Sequence, residues 1–209
     1  MHYETITVSN REGVLMITLN REARLNAWTY QMGRELHHAI SSGNDQDEVI
    51  AMVMTGAGRG FCAGLDLGEP SLRPDADRAT RLDPYYWVGR WVQSITSCEK
   101  PVIAAVNGVA AGAGANVALA CDIVLAARSA KFIQAFSKIG LTPDAGGSWS
   151  LSRLLGEARA KGLALTAEPL TAERAERLGF VNAVLADPET LLAAALEMAH
   201  AIAAKAPLA

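Results

Sequence analysis

Residues 100–149 read KPVIAAVNGVAAGAGANVALACDIVLAARSAKFIQAFSKIGLTPDAGGSW, and this stretch decides the fold. Its β-branched run Val102–Val106 predicts a buried strand, which Asn107-Gly108 ends. The chain then passes through Gly112-Ala113-Gly114 into Ala115–Ala120, whose small and aliphatic residues favour a tightly packed helix. The stretch therefore predicts a strand that leads through a glycine-rich turn into the start of a helix.

A helix start of this kind can bind an anion. Its first backbone N–H groups have no acceptors within the helix, and the positive end of the helix dipole lies at the same place. Together they can stabilise a negatively charged oxygen, and glycine lets a ligand approach the backbone closely. One acid follows downstream, in the turn Pro143-Asp144-Ala145-Gly146-Gly147. The sequence therefore predicts an anion site accompanied by one carboxylate.

The composition is that of an ordinary globular protein. The chain has 209 residues, of which 50% are hydrophobic and 20% charged, and one domain of this size can bury a substantial core. A net charge of −3 favours neither nucleic acid nor an anionic membrane surface as a partner. The N-terminus has no signal-peptide pattern, and no apolar run reaches the ~18 residues of a membrane span.

The cysteine pattern indicates a reducing cellular compartment. Cys62, Cys98 and Cys121 are odd in number and lack CxxC spacing, which is typical of reduced intracellular thiols. We therefore expect a soluble, cytoplasmic protein.

The N-terminal part begins with a hairpin and a helix. Ile6–Val8 and Val14–Leu19 flank Asn10-Arg11-Glu12-Gly13, which is a hairpin signal. Thr29 is the expected N-cap of a helix, whose apolar face is formed by residues spaced by four: Met32, Leu36 and Ile40.

A second glycine-rich loop follows a second strand. Val49–Thr55 predicts the strand, and residues 56–67 read GAGRGFCAGLDL. Pro70–Pro84 mixes acids, arginines and prolines, so we expect a mobile surface excursion there. Tyr85–Ile95 is expected to be a helix that covers part of the molecule.

More helices and one strand follow residue 149. The predicted elements are helices over Ser150–Leu155 and Glu157–Leu165 separated at Gly156, a helix that Thr171 caps and Gly179 ends, a strand over Val181–Leu185, and a helix over Pro188–Lys205. This alternation of strands and helices predicts an α/β core.

Other kinds of site find little support. The dinucleotide fingerprint needs a third glycine where Val117 stands, and neither loop contains the Gly-Lys-Ser/Thr of a nucleotide triphosphate loop. His37 and His38 are adjacent and no cluster has metal-ligand spacing, so we expect no metal site. No cysteine or serine lies in a nucleophile motif. An aspartate after proline and before a helix is often only an N-cap, so that role for Asp144 stays open.

One known pattern contains both glycine-rich loops and Asp144 together. The motifs that carry it are Leu19-Asn20-Arg21, Leu25-Asn26, Gly56–Leu67, Lys100–Val102, Ala105–Gly108, Gly112–Gly114, Cys121–Ile123, Ala130–Phe132, Ile139–Leu141, Pro143, Gly146-Gly147 and Leu178–Val181. In this order they resemble the crotonase (enoyl-CoA hydratase/isomerase) superfamily over essentially the whole chain. The resemblance implies an α/β fold, a spiral of repeated ββα turns over residues 1–187. Residues 188–209 would start a C-terminal helical and trimerisation region that the chain ends before completing.

The resemblance also implies where an acyl-CoA thioester binds. The catalytic groups would be Asp144 and two oxyanion donors, the backbone N–H groups of Leu65 and Ala113. The residues implied to line the CoA and acyl sites are Arg24, Leu25, Ala63, Gly64, Asp66, Leu67, Gly112, Asn116 and Phe136. No metal is implied, and no cofactor besides the CoA of the substrate.

Departures from the family pattern indicate the reaction class. Typical hydratases of the family hold water with two glutamates, whose positions here are Asn116 and Phe136, and neither transfers a proton as a carboxylate does. Asp144 remains, and residues 105–147 are most similar to the ring-1,2-epoxyphenylacetyl-CoA isomerases of phenylacetate degradation. CoA-dependent aryl dehalogenases use an aspartate near this position as a nucleophile. They pair it with a Trp-His, where this chain has Trp91-Val92.

We therefore predict an enzyme, an acyl-CoA isomerase that shifts a double bond with one aspartate as acid and base. Two alternatives stay open. One is an enoyl-CoA hydratase, and the other is a degenerate CoA-binding subunit without activity.

The last helix leads to an expectation about assembly. An apolar stripe runs along it with no later element to cover it, formed by Leu191, Leu192, Ala195, Leu196, Ala199 and Ile202. A stripe left in water is unfavourable for a monomer. The family resemblance implies trimers, so a homotrimer or a dimer of trimers is expected.

Overall fold

Two β-sheets and the helices around them make up the described part of the chain. The computed structural model describes residues 2–68 and 88–205. The strands are β1 (Ile6–Arg11), β2 (Val14–Leu19), β3 (Ala51–Gly56), β4 (Gly60–Cys62), β5 (Val102–Val106), β6 (Val109–Ala111), β7 (Ile123–Ala127), β8 (Lys131–Ile133), β9 (Leu170–Thr171) and β10 (Ala183–Leu185). The α-helices are α1 (Tyr30–Asn44), α2 (Val88–Thr96), α3 (Ala113–Ala120), α4 (Gly147–Leu155), α5 (Glu157–Thr166), α6 (Ala172–Arg177) and α7 (Pro188–Ala203). Short 3-10 helices span Glu22–Arg24 and Ala135–Ile139.

Successive turns of the chain follow the same path. Three turns each place one strand in a six-stranded sheet (β3, β5 and β7) and the next strand in a four-stranded sheet (β4, β6 and β8), and a helix follows. The sheet orders are β1-β2-β3-β5-β7-β10 and β4-β6-β8-β9. Neighbouring turns pair in parallel, because β3, β5 and β7 adjoin in the large sheet while β4, β6 and β8 adjoin in the small one. The predicted spiral of ββα turns is confirmed.

The sequence pattern did not predict the strands of the small sheet, nor β7 of the large sheet. β4, β6 and β8 have three residues each, which is too few for a hydrophobic run or an alternation to be recognised. β4 lies inside the glycine-rich loop 56–67, and β6 immediately precedes the loop 112–114. Since β4 pairs with β6, the small sheet brings the two glycine-rich loops side by side.

The predicted hairpin is present, and its first strand is longer than expected. β1 extends to Arg11 and leaves a two-residue turn of Glu12 and Gly13, with φ of 53° and 87°. Two positive φ values match the right-handed twist of the flanking strands, as in type I′ turns.

The predicted helix caps are confirmed. Thr29 accepts a hydrogen bond from the backbone N–H of Met32 at 3.2 Å, and Thr171 does the same for Arg174 at 3.3 Å. Met32, Leu36 and Ile40 of α1 are fully buried, as their spacing predicts. Gly156 separates α4 from α5, also as predicted.

Both faces of the large sheet are covered. Along β2, Leu15, Ile17 and Leu19 pack into the core under α1, α2 and α3, whereas Val14 and Met16 face α7. A sheet buried on both faces needs apolar residues on both, which is why its central strands read as continuous hydrophobic runs.

The expectation that the stripe on α7 lies uncovered is wrong. Leu191, Ala195 and Ala199 are at most 1% exposed, because α7 lies across the large sheet and packs against Val53 and Ile103. The remaining stripe residues, Leu192, Leu196 and Ile202, are partly buried against the same cluster. The stripe therefore gives no reason by itself to expect an oligomer.

Some expectations fall outside the described residues. These are the surface excursion Pro70–Pro84 and the first part of the Tyr85–Ile95 helix, which is described from Val88 as α2. Within residues 2–68 and 88–205, no helix is both long and apolar enough to cross a membrane.

Candidate active site

Two loops near the start of the spiral are locked together by a buried amide. Asn26 is fully buried, and its Nδ2 donates to the carbonyl oxygens of Ala57 and Gly60 at 2.9 and 2.8 Å. Its Oδ1 accepts from the backbone N–H of Arg21 at 2.8 Å. The N–H of Ala63 also donates to the carbonyl of Leu25 at 3.0 Å. The loop of residues 20–26 therefore supports the loop that carries the first predicted oxyanion donor.

Leu65, the first of these donors, is held with its N–H unused. Trp28 forms a parallel bridge with Leu65, because its N–H donates to Gly64 at 2.7 Å and its carbonyl accepts from Asp66 at 2.9 Å. The N–H of Leu65 itself points away from this bridge. Trp28 is in turn fixed by stacking on Trp91, with ring centroids 5.4 Å apart.

Ala113, the second donor, is the first residue of α3. Gly112 caps the helix with a positive φ of 51° and a ψ of −125°, a combination that favours glycine. The carbonyl of Gly112 accepts from the N–H groups of Ala115 and Asn116. Ala113 stands at the first position of the helix, where a backbone N–H has no acceptor within the helix. Among the described residues, neither Leu65 nor Ala113 has an acceptor for its backbone N–H.

The two donor loops touch through glycines. A Cβ on Gly64 would lie 2.7 Å from the carbonyl oxygen of Ala111, and one on Gly114 would lie 2.4 Å from that of Cys62. Real Cβ atoms do not approach backbone oxygens so closely. Glycine at both positions therefore lets the loop that carries Leu65 pack directly against the segment that carries Ala113.

Asp144 is an acid with an unusual environment. Its Oδ1 is buried and has no hydrogen-bond partner within the described ranges of the chain. Burial raises the pKa of Asp144 from 3.8 to about 6, and a hydrogen bond from its own backbone N–H opposes this only in part. The N-cap role that the sequence left open is wrong: α4 begins after Gly146, and no side chain caps it.

Asn116 and Phe136 stand at the predicted hydratase positions. Asn116 is 1% exposed, and its amide contacts the Asp144 carbonyl on one side and Gln134 on the other, both at 2.9 Å. Phe136 is 5% exposed, and its Cζ would lie 3.8 Å from a Cβ on Gly112. Phe136 therefore forms an apolar wall beside the start of α3.

The remaining predicted residues belong to the two loops that Asn26 connects, residues 20–26 and 56–67. Asp66 is 8% exposed and accepts from Arg21 at 3.0 Å, Gly68 at 3.1 Å and Arg24 at 3.3 Å. Burial alone would raise the pKa of Asp66, but these hydrogen bonds lower it overall. The Arg24 side chain is 62% exposed and Leu67 is 70% exposed, so a ligand can reach both.

The described residues support neither a cysteine nucleophile nor a metal site. Burial raises the pKa of the Cys62 thiol to about 12, so Cys62 is not a thiolate at neutral pH. In residues 2–68 and 88–205, no group of three or more His, Cys, Asp or Glu side chains could hold a metal ion.

Gln134 is the residue near the site that the sequence did not reveal. It lies 18 positions from Asn116, follows a strand of three residues and belongs to none of the matching motifs. Only the folded chain shows its contact with Asn116. Arg21 was part of a motif, but its ion pair with Asp66 joins residues 45 positions apart and was equally invisible.

Known proteins resemble the chain over most of its length. A family model described as "Enoyl-CoA hydratase/isomerase" matches residues 9–209. The chain is 46% identical over 195 residues to 1,2-epoxyphenylacetyl-CoA isomerase of Escherichia coli (strain K12), covering 92% of this chain and 73% of that protein. It is 48% identical over 181 residues to a probable enoyl-CoA hydratase of Rhodobacter capsulatus, covering 87% and 68%. The crystal structure of enoyl-CoA hydratase from Bacillus anthracis superposes with a TM-score of 0.90 at 32% identity, covering 98% of this chain and 78% of that one.

These relatives include both an isomerase and hydratases. They show the family and the general reaction, which is hydration or isomerisation of an acyl-CoA thioester. They do not decide between these two reactions. The chain, with its spiral of ββα turns, belongs to the enoyl-CoA hydratase/isomerase (crotonase) family.

Proposed function

We propose that this enzyme is an acyl-CoA thioester isomerase, which shifts a double bond through an oxyanion-stabilised enolate with Asp144 as its acid and base. The observation that carries the proposal is the buried, unpartnered Oδ1 of Asp144. Asp66, the other acid of the predicted site, is occupied by Arg21 and Arg24. Asp144 is therefore the carboxylate that can accept a proton from a substrate.

The proposed reaction is a proton transfer in two steps. The Asp144 carboxylate takes a proton from C2 of a 3-enoyl-CoA, and the electron pair moves into the thioester carbonyl. The N–H groups of Leu65 and Ala113 stabilise the resulting enolate oxygen, and each such donor contributes about 10²- to 10³-fold in rate. Protonated Asp144 then delivers the proton to C4 while the carbonyl re-forms, which leaves the double bond between C2 and C3.

The raised pKa suits this exchange. A general base works best when its pKa lies close to the working pH, because it must both accept and return the proton. Burial brings the pKa of Asp144 to about 6, within reach of that condition. The transfer requires no redox change, so the proposal needs no cofactor besides the CoA of the substrate.

The CoA portion is proposed to lie along the outer side of the two donor loops. The exposed Arg24 guanidinium offers a cation for the CoA phosphates, and Asp66 accepts a hydrogen bond from one of its terminal nitrogens at 3.3 Å. Leu25, Ala63 and Leu67 belong to the same surface. Gly64 and Gly112 leave room for the thioester to approach the donors.

Incubation with 3-hexenoyl-CoA and 2-hexenoyl-CoA, followed by mass spectrometry and chromatography, tests the reaction class. We expect 3-hexenoyl-CoA to become 2-hexenoyl-CoA at unchanged mass, because isomerisation adds no atom. Free 3-hexenoic acid, the matched control, should not react, since it lacks both the CoA and the thioester carbonyl. Faster gain of one water by 2-hexenoyl-CoA would overturn the proposal in favour of a hydratase. Binding without any turnover would indicate a degenerate CoA-binding subunit.

A hydratase is the second candidate, and the probable enoyl-CoA hydratase at 48% identity favours it. Hydration by the usual pair of glutamates would need acids where Asn116 and Phe136 stand. Asn116 is instead engaged by Gln134 and by the Asp144 carbonyl, and Phe136 is apolar. Asp144 would have to activate the water alone.

Assembly and location are proposed from the resemblance and the cysteines. A homotrimer or a dimer of trimers is expected for this family, and the burial of the α7 stripe removes the independent argument for it. Light scattering on the purified protein should give a mass near three or six times 22.1 kDa, and a monodisperse monomer would contradict it. The cytoplasmic location stays a prediction.

A further inference from the structure

Two buried amides connect the oxyanion helix to the backbone of Asp144. Asn116 and Gln134 are 1% and 3% exposed. Gln134 Nε2 donates to Asn116 Oδ1, and Asn116 Nδ2 donates to the carbonyl oxygen of Asp144, both at 2.9 Å. Asn116 lies three residues after Ala113 on α3, about 4.5 Å along the helix axis from the oxyanion donor.

We infer that Gln134 and Asn116 form an amide relay that positions Asp144, and that Asn116 acts through Asp144 rather than on the substrate. The inference rests on the proposed function in taking Asp144 as the acid and base. It assigns Asn116 a positioning role where the sequence predicted substrate binding, and it adds Gln134.

The Asp144 carbonyl determines which atom of each amide donates and which accepts. A backbone carbonyl only accepts hydrogen bonds, so Asn116 must present Nδ2 to Asp144 and therefore Oδ1 to Gln134. Gln134 must then donate through Nε2. Its Oε1 is left buried without a hydrogen-bond partner among the described residues, which is unfavourable for stability. The same arrangement keeps Asn116 in its orientation.

The turn after Asp144 needs external support. Ala145 has φ of 49° and Gly146 has φ of 74°, so two successive residues are left-handed and one of them is not glycine. The Asp144 carbonyl accepts from Asn116 and also from the N–H of Gly147 at 2.8 Å. These two bonds hold the peptide group that joins Asp144 to the strained Ala145.

Gly147 shows how closely Asn116 packs on this turn. A Cβ on Gly147 would lie 2.1 Å from Asn116 Nδ2. Removing the Asn116 amide would therefore free the carbonyl and disturb the close packing beside Gly147. The Asp144 carboxylate, on the same Cα, would lose its fixed place relative to Ala113.

Asn116→Leu tests the relay, because leucine keeps the branched shape and removes both hydrogen bonds. We expect kcat for 3-hexenoyl-CoA to fall about 10- to 100-fold with KM within about twofold, since a misplaced base slows the chemistry and leaves binding intact. In the substrate-free protein, a ¹³C NMR titration should show the Asp144 pKa falling by about one pH unit or more, from about 6 toward 3.8, as the loosened turn admits water.

Gln134→Met provides a second variant that removes only the outer bond. It should lower kcat less than Asn116→Leu, and the double variant should be no worse than Asn116→Leu alone, because both act through one chain of contacts. Asn182→Leu is the matched control. Its amide accepts from the Val124 backbone at 2.9 Å within the large sheet, so its loss should lower Tm and leave kcat and the Asp144 pKa unchanged.

Each other outcome overturns the relay. A raised KM with unchanged kcat in Asn116→Leu would place Asn116 on the substrate. A lower Tm with both kcat and the Asp144 pKa unchanged would make the amides structural only. The NMR titration uses no substrate, so it still tests the relay if Asp144 proves not to be the acid and base.

Discussion

Asp144→Asn is expected to lower the turnover of 3-hexenoyl-CoA by at least about 100-fold, while binding of the thioester survives. Asparagine keeps the volume of aspartate but cannot accept and return a proton, and positioned acid–base catalysis contributes roughly 10²- to 10⁴-fold. No side chain caps α4, so the substitution removes no helix cap. Stopped assays by chromatography, with the thioester affinity measured by calorimetry, separate the two effects.

Asp187→Asn is the matched control. Asp187 is a true N-cap, since its Oδ1 accepts from the Thr190 N–H at 2.8 Å at the start of α7. Asparagine caps helices as well as aspartate does, so turnover should stay at the wild-type level. Near-normal turnover in Asp144→Asn would remove Asp144 from the mechanism.

The pH dependence follows from the same carboxylate. As a base, Asp144 must be ionised, so kcat/KM should rise with pH and reach half of its plateau near the pKa of about 6.

The stability of the protein should depend on the same carboxyl group. Folding raises the pKa of Asp144 above 3.8, so the contribution of this group to stability is fully present below pH 3.8 and is lost as pH rises through about 6. Asp144→Asn should therefore have a higher Tm than the wild type above about pH 6, and this difference should close below about pH 4. Equal Tm differences at both pH values would contradict the burial of the carboxylate.

Gly64→Ala is expected to have the second large effect, a loss of about 10²- to 10³-fold in kcat. The new Cβ would lie 2.7 Å from the Ala111 carbonyl oxygen and 3.7 Å from the Gly112 Cα, so the two donor loops must separate. The N–H of Leu65, which follows Gly64 directly, then no longer converges with that of Ala113. Asp144 is untouched, so the half-point of the pH profile should stay in place.

Gly179→Ala separates this effect from backbone strain. Gly64 and Gly179 both have positive φ, 93° and 74°, but a Cβ on Gly179 would meet nothing within 4 Å. Both variants should lose stability by roughly 1–2 kcal/mol from the left-handed backbone, as seen in thermal unfolding followed by circular dichroism. Only Gly64→Ala should lose turnover per folded molecule. Wild-type turnover in Gly64→Ala would argue against the two backbone donors.

The sequence predicted those elements that depend on neighbours along the chain. The Thr29 and Thr171 caps, the hairpin signal Asn10–Gly13 and the apolar face of α1 each depend on residues within a few positions of one another. Most strands of the large sheet and most helices followed from such local signals, although β7 was not predicted, and the family pattern supplied the spiral. The three-residue strands of the small sheet escaped because so short a segment has no period of its own.

The same distinction between local and long-range information applies to the candidate site. The sequence located the glycines, a helix following them and a single aspartate, because residue type and order mark them, whereas Ala113 was singled out by the family resemblance. It could not tell whether Asp144 caps a helix or is a partly buried acid, since that depends on where α4 begins and on what excludes water.

Tertiary structure alone decided the environment of each group. The pKa of Asp144 is raised by desolvation, which depends on surfaces brought together from distant parts of the chain. The contacts of Asn116 with Gln134 and Asp144 span 18 and 28 positions, and the α7 stripe is covered by strands from the other end of the chain. Hydrogen bonds and burial between distant residues leave no periodic trace in a sequence, so they became visible only once the chain had folded.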